Sequence, residues 1–306
     1  MPFAEPRSEA VDVAPRYRSI VPDWDRFREA CGRPLPTVIR TNTLRIAPEA
    51  LRERLRRQGI AATPLAWDEI LFEVDRTAGN TIEHWLGLFY IQEAVQALPV
   101  IALNPRPGET VLDLCAAPGG KSTHIAARMR GVGPLIANEP AGRRQQALFA
   151  NINRLGVLNA TVTTYRGESF PHAARFDRIL VDAPCSAEGT LRKEPSLCGG
   201  APAATIARLA SLQKRLIVRA YDLLRPGGVL VYSTCTFAPE ENESVAAHLL
   251  AQRGARLAPL SLPVETSPGL EAWGAETFPP ELTRCARIYP HQIDSGGGFL
   301  ARFDRP

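Results

Sequence analysis

Beyond residue 105 the apolar residues gather in short unbroken runs, separated by longer stretches in which they recur every three or four positions. The runs fall near 111–115, 134–138, 160–164, 177–182, 228–233 and 297–303, the pattern of strands buried on both faces. Between them, AARMR, RRQQALFANINRLG, ATIARLASLQKRLIVRAYDLL and ENESVAAHLLAQRG carry helical spacing. Strands alternating with helices predict an α/β fold, a parallel sheet with helices on both faces. Upstream the pattern differs. Residues up to about Pro36 read as a helical lead-in broken by prolines, TVIRTNT as a strand, and Pro48 opens the helix APEALRERLRRQG. IAATPLAW and LFEVDR are strand-like, and LGLFYIQEAVQALPVIAL has helical spacing. These elements predict a small α+β domain over 1–104, with NPRPG as the hinge to a larger domain over 105–306. There are no internal repeats and no low-complexity tract.

Composition refines this picture in three places. A chain of 306 residues that is 45% hydrophobic has ample material for a packed core. Its net charge of +4 is mild, but unevenly spread: Met1 to Arg57 holds twelve Arg against eight acids, whereas Gln58 to Asn104 holds one Arg against six. Leu51 and Leu55 fit one helix face with arginines around it, so this segment suits phosphate contact about as well as plain solvation. The six cysteines include no C-x-x-C pair, which argues against zinc, and no metal site is expected. Nothing resembles a secretory signal or a membrane span, so a reducing cytoplasm and free thiols are expected.

Candidate chemistry starts at VLDLCAAPGGKS. Val111 to Cys115 read as a buried strand interrupted only by Asp113; Cys115, Ala116, Ala117, Pro118, Gly119 and Gly120 form a small-residue turn, and Lys121 begins a helix. Such a turn aims backbone N–H groups at a ligand beside the strand's carboxyl end. Glu139 closes the next apolar run nineteen residues past Gly120, where an acidic side chain suits ribose hydroxyls. A nucleoside cofactor follows. CAAPGGKS also approaches the P-loop pattern G-x-x-x-x-G-K-S, and RILVD, ending at Asp182, imitates the Mg²⁺-binding strand of such NTPases. Cys115 stands where that pattern has its first Gly, and a P-loop has no use for Glu139, so the NTPase reading is the weaker one.

Two cysteines follow strand ends, Cys185 in ILVDAPCSAEG and Cys235 in VLVYSTCTFAPEEN. A cysteine in such a place is commonly a small buried hydrophobe, the reading taken for Cys31, Cys198 and Cys285. Lys121 is one of only three lysines among 36 basic residues. A cation at a helix N-terminus opposes the dipole and needs a partner, with Asp182, the cofactor or the target base as candidates. We read Lys121 as active-site lining.

The blocks VLDLCAAPGGKS, ANEPAGRRQQALFANINRLG, DRILVDAPCSAEGTLRKEP, LLRPGGVLVYSTCTFAPEENE and IYPHQIDSGGGFLARF resemble the RNA cytosine-C5 methyltransferases of the Nop/Sun/Fmu (Rsm) type. The resemblance runs from about Tyr90 to the end, and RTNTLRIAPEALRERLRRQGI is similar to that family's lead-in segment. It implies a Rossmann-like S-adenosylmethionine-dependent methyltransferase fold, a mostly parallel seven-stranded sheet whose last inserted strand is antiparallel, with a small N-terminal α+β domain. It also implies S-adenosyl-L-methionine as cofactor, with Arg144 taken as a further contact. By resemblance Cys235 of the STC motif is the nucleophile and Cys185 of the APC motif assists release. Spacing alone does not assign these roles, since DNA cytosine methyltransferases attack with the cysteine of their PC motif. Asp182 suits the acid at N3 of the base.

Two departures stand out. The family commonly has an acidic residue after its third strand for the adenine amino group; here TTYRGESF offers Arg166 or Gly167, with Glu168 one step later. At Ala187 the family more often has Gly, a mild change unless that backbone needs a positive φ. The chain stops at ARFDRP, so no further C-terminal RNA-binding domain is expected. The resulting expectation is a monomeric, cytoplasmic RNA cytosine-C5 methyltransferase, with ribosomal RNA ahead of transfer RNA as target. A non-catalytic RNA-binding assembly factor is the reading from another class.

Overall fold

The computed structural model describes residues 15–173 and 175–306. The first fourteen residues of the expected lead-in lie outside the described residues. After them comes α1 (Trp24–Gly32), whose first turn is capped by the Asp23 carboxylate accepting from Arg26 N at 3.2 Å. A four-stranded antiparallel sheet follows, built from β1 (Thr37–Thr41), β2 (Ala62–Leu65), β3 (Asp68–Val74) and β4 (Phe89–Ile91) in the order β2-β3-β1-β4. Helix α2 (Pro48–Arg57) buries Leu51 and Leu55 completely against Ile39, Phe72 and Phe89, while its arginines face outward. A short α3 (Ile82–Trp85) leads into β4.

The segment expected to be helical throughout, LGLFYIQEAVQALPVIAL, is not. It begins as β4, which pairs with β1 through Thr41↔Phe89 to Ile39↔Ile91, and becomes α-helical only at α4 (Leu98–Leu103). The edge hydrogen bonds offered by β1 override the local period. Helix α4 lies before the expected hinge yet packs on the larger sheet, where Leu98 and Val100 join the core against Leu180 and Val231.

That sheet holds β5 (Val111–Asp113), β6 (Leu135–Asn138), β7 (Ala160–Thr163), β8 (Phe176–Asp182) and β9 (Leu224–Thr234), all parallel. Three short strands follow at its far side, β10 (Arg256–Ala258), β11 (Ser267–Pro268) and, after the β12 (Ala272–Trp273) and β13 (Glu276–Thr277) ribbon, β14 (Ala286–Ile288). The last strand, β15 (Gly298–Asp304), runs antiparallel beside β9. The order is β11-β14-β15-β9-β8-β5-β6-β7, with β10 also on β15, so the sheet has nine strands rather than seven. Alternate residues feed two cores. Ile179, Val181, Leu230 and Tyr232 pack with α7 (Ala203–Leu223) and α8 (Glu243–Arg253) on one face. Leu180 and Val231 pack with α4, α5 (Gly120–Arg128) and α6 (Gly142–Leu155) on the other.

Strand β14 gave no apolar signal because its middle residue is Arg287. That guanidinium is buried, donates to Glu243 at 2.7 Å from Nε and reaches the Phe237 carbonyl at 3.0 Å. A short α9 (Pro290–Ile293) follows, and α1 packs near it through Phe27, whose ring lies 5.6 Å from Phe237 and 6.0 Å from Tyr289. The lead-in helix thus braces the loop that begins at Cys235.

Candidate active site

Sheet order reverses between β5 and β8, and the carboxyl ends of strands at such a switch point are where ligands bind in open α/β sheets. A cavity of about 240 Å³ lies there, bounded by Asp113, the 115–121 turn, Asp182, the Tyr90–Gln96 segment and Lys193. Gly119 starts α5 at φ 104°, a conformation that L side chains avoid. Gly120 cannot carry a side chain either, since a Cβ there would lie 2.9 Å from the Tyr90 ring. The N-terminal sheet holds this turn directly: Arg40, wholly buried in β1, donates to the Gly120 carbonyl at 2.7 Å and to Thr123 Oγ1 at 2.8 Å.

The partner that Lys121 needs is Asp182, at 2.8 Å, with the Gln96 side-chain carbonyl as a second acceptor. Burial works to lower the Lys121 pKa, but Asp182 above all, with Cys235 and Asp113 behind it, raises it overall. The other Asp182 oxygen accepts from Ser233 Oγ at 2.8 Å, its register partner on β9. Asp113 lies at the end of β5, fully buried. Burial pushes its carboxyl up to about 7, opposed by the Ser122 hydroxyl donating at 2.7 Å. Its Oδ1 has no hydrogen-bond partner.

Cys185 and Cys235, fifty residues apart in sequence, stand with their sulfurs 3.3 Å apart, both free thiols. Their loops are tied together. Gly189 N donates to the Cys235 carbonyl at 2.8 Å, Ser186 Oγ meets Thr236 Oγ1 at 2.7 Å, and buried Glu241 accepts from Ser186 N at 3.1 Å and from Gln213 at 2.7 Å. The hydrogen bond to Cys235, burial and the nearby charge of Glu241 hold the Cys185 pKa well above the usual thiol value, so Cys185 keeps its proton. Burial likewise keeps Cys115 a thiol, consistent with packing. Cys31 and Cys285 are buried too.

Glu139 is placed differently from the rest. It is buried at the end of β6, accepts from Ala141 N at 3.1 Å, and lies 3.6 Å from Arg144, which also donates to the Ala117 carbonyl at 2.9 Å. Arg144 therefore links Glu139 to the turn, while Glu139 itself does not line the cavity. Glu168 accepts from Arg166 and lines an outer groove beside Lys214 and Arg215, away from the cavity. Gly167 must stay small, because a Cβ there would lie 2.6 Å from Leu216. Ala187 has φ 60°, so the backbone that favours glycine carries alanine here. Gln96, Ser233, Gln213 and Glu241 were not picked out from the sequence, although Ser233 and Glu241 sit inside the cysteine motifs.

Residues 100–304 match the family model for 16S rRNA methyltransferase RsmB/F. The chain belongs to the RsmB/F family. Residues 14–94 match the model for the N-terminal domain of the 16S rRNA methyltransferase RsmF. Among RsmB/F relatives, ribosomal RNA small subunit methyltransferase F of Pectobacterium atrosepticum is 40% identical over 311 residues, covering 97% of this chain and 63% of that protein. The same-named protein of Vibrio campbellii is 40% identical over 94% of this chain and 61% of its own length. The 28S rRNA (cytosine-C(5))-methyltransferase of Mus musculus is 37% identical over 91% of this chain and 36% of its own length. The chain thus spans about three fifths of the length of the bacterial relatives. A methyltransferase homologue from Pyrococcus horikoshii superimposes with a TM-score of 0.82 at 34% identity, over 92% of this chain and 90% of that one. Among the described residues no helix is long and apolar enough to cross a membrane, and no cluster of three or more His, Cys, Asp or Glu is placed to hold a metal.

Proposed function

We propose that this chain methylates C5 of a cytosine in ribosomal RNA, using S-adenosyl-L-methionine and a covalent bond from Cys235 to C6 of the base. The observation that carries this reading is the Cys185–Cys235 thiol pair beside the Lys121–Asp182 ion pair at the ends of adjacent strands. Ribosomal RNA is preferred over transfer RNA as target because relatives at 40% and 37% identity are named for rRNA.

The cofactor fits the residues present. In the turn the Ala116 and Gly119 N–H groups are spent on the Asn138 and Ala116 carbonyls, which leaves those of Ala117 and Gly120 for a ligand, and the Asp113 Oδ1 is an acceptor suited to an ammonium group. Glu139, outside the cavity wall but tied to its turn through Arg144, would accept from the ribose where the cofactor extends past the turn. When bound, S-adenosylmethionine supplies an electrophilic methyl group.

Cytosine C5 is too electron-poor to take that methyl unaided, so Cys235 Sγ adds to C6 and makes C5 carbanion-like. Asp182, held by Lys121 and Ser233, passes to N3 the proton that Cys235 gives up on adding, which neutralises the electron density pushed into the ring. After transfer water takes the C5 proton, the C5–H electron pair forms the C5=C6 bond, and the Cys235–C6 electron pair returns to sulfur. The proton that Cys185 keeps, directed at Cys235 Sγ, favours the departing sulfur and so assists release.

The test is to incubate the purified chain with labelled cofactor and either small ribosomal subunits or total transfer RNA, mapping 5-methylcytosine by bisulfite sequencing. Label in rRNA is the expected result. Label confined to transfer RNA would move the target, and ATP hydrolysis without methyl transfer would replace the reading.

A further inference from the structure

The β4-to-α4 segment places two polar side chains, Gln92 and Glu93, on the wall of the same cavity. Gln92 Oε1 accepts from Arg40 at 2.8 Å, which leaves its Nε2 buried and without a partner. Glu93 lines the cavity next to it, its carboxylate backed by the Gly296 backbone N–H. Burial pushes the Glu93 pKa up, while Lys193, Lys121, Arg192 and the Gly296 backbone N–H pull against it.

Glu93 stands between the two halves of the reaction site. On one side Gln96, three residues on, accepts from Lys121. On the other, Glu93 packs on Gly296, where a Cβ would lie 2.3 Å from its Oε2. Gly297 N donates to the Gly189 carbonyl at 2.8 Å, and Gly189 N donates to the Cys235 carbonyl at 2.8 Å. C6 and N3 lie across the ring from each other, so a base held at Cys235 and Asp182 leaves two edges free, the C2 edge and the C4 edge. Uracil and cytosine differ at the C4 edge: cytosine offers a 4-amino donor, uracil a 4-oxo acceptor.

Resting on the reaction proposed above, we propose that Glu93 is the specificity-determining residue that accepts a hydrogen bond from the cytosine 4-amino group. A carboxylate offers only acceptors, so it pairs with an amino group and repels a carbonyl oxygen. A site built around such a bond strongly rejects the analogue that lacks it.

The test compares wild type with Glu93→Ala and Glu93→Gln in single-turnover methyl transfer to an rRNA fragment that the wild type methylates. The acceptor is either cytidine or its pyrimidin-2-one analogue, which lacks the 4-amino group. Glu93→Ala is expected to slow transfer to cytidine by about tenfold or more, yet transfer to pyrimidin-2-one by less than about twofold, since the partner is already missing. Glu93→Gln should recover part of the cytidine rate and narrow the preference for cytidine over uridine. Equal slowing on both acceptors, or a matching loss of S-adenosylmethionine affinity by calorimetry, overturns the assignment. Failure of the wild type to methylate any cytidine substrate overturns the underlying reaction instead, and is read in the same assay.

Discussion

Replacing Asp113 with Asn should change how stability depends on pH. In the folded chain burial lifts this carboxyl from 3.8 to about 7, so between those values the folded state holds a proton that the unfolded state has released. Folding is therefore increasingly penalised as pH rises through that window, and the full penalty applies above pH 7. From pH 5 to pH 8 about two pH units of the window are crossed, worth ~3 kcal/mol at 1.36 kcal/mol per unit. Asn at this position can still accept from Ser122, but its amide N–H₂ replaces the unpartnered Oδ1, a pH-independent cost of roughly 1–3 kcal/mol. The difference in unfolding free energy, variant minus wild type, should thus climb by ~3 kcal/mol between pH 5 and pH 8. Urea denaturation of both proteins at half-unit pH steps measures it, and other titrating groups cancel in the difference. A difference that stays flat over this range would refute the claim that Asp113 is held in a desolvated, half-satisfied state. The same substitution should weaken S-adenosylmethionine binding, because the acceptor proposed for its ammonium group is gone.

Other perturbations follow from backbone geometry. Ala187→Gly relieves a left-handed alanine at φ 60° and should stabilise the chain by roughly 0.5–1 kcal/mol after the entropy cost of glycine, seen as a raised urea midpoint with unchanged m. Gly189→Ala would bring a Cβ to 2.6 Å from the Gly297 carbonyl oxygen and 2.9 Å from that of Cys235. It should displace the Cys235 loop, costing about 1–3 kcal/mol in denaturation and about tenfold or more in methyl transfer; wild-type values in both would show that the loop tolerates the shift.

Much of the larger domain was legible because its signals are local. The apolar runs from Val111 to Asp182 keep their residues on both faces of the sheet, so each strand declares itself without reference to any other. The glycine turn and the two cysteine motifs are likewise contiguous, and the sheet brings Cys185 and Cys235 together simply by placing β8 beside β9. What escaped was decided by distant partners. Arg287 in β14 looks like a solvated residue until Glu243, 44 positions earlier, is seen to neutralise it in the core. Arg40 reads as one more arginine of a basic segment, yet its bonds to Gly120 and Thr123 fasten the N-terminal sheet to the cradle. The Tyr90–Gln96 wall escaped because β4 is only three residues long, too short to impose a period of two on a helical pattern.

The measurement that bears most directly on the covalent account is a comparison of Cys235→Ala and Cys185→Ala for protein–RNA adducts on denaturing gels, alongside methyl transfer. Removing the nucleophile prevents the adduct from forming, whereas removing the group that assists release lets it form and then strands it. Cys235→Ala should therefore lose methylation and show no adduct, and Cys185→Ala should turn over poorly and accumulate one. An adduct that builds up in Cys235→Ala and is missing from Cys185→Ala would reverse the two roles, and unchanged methylation in both variants would contradict covalent catalysis by either thiol.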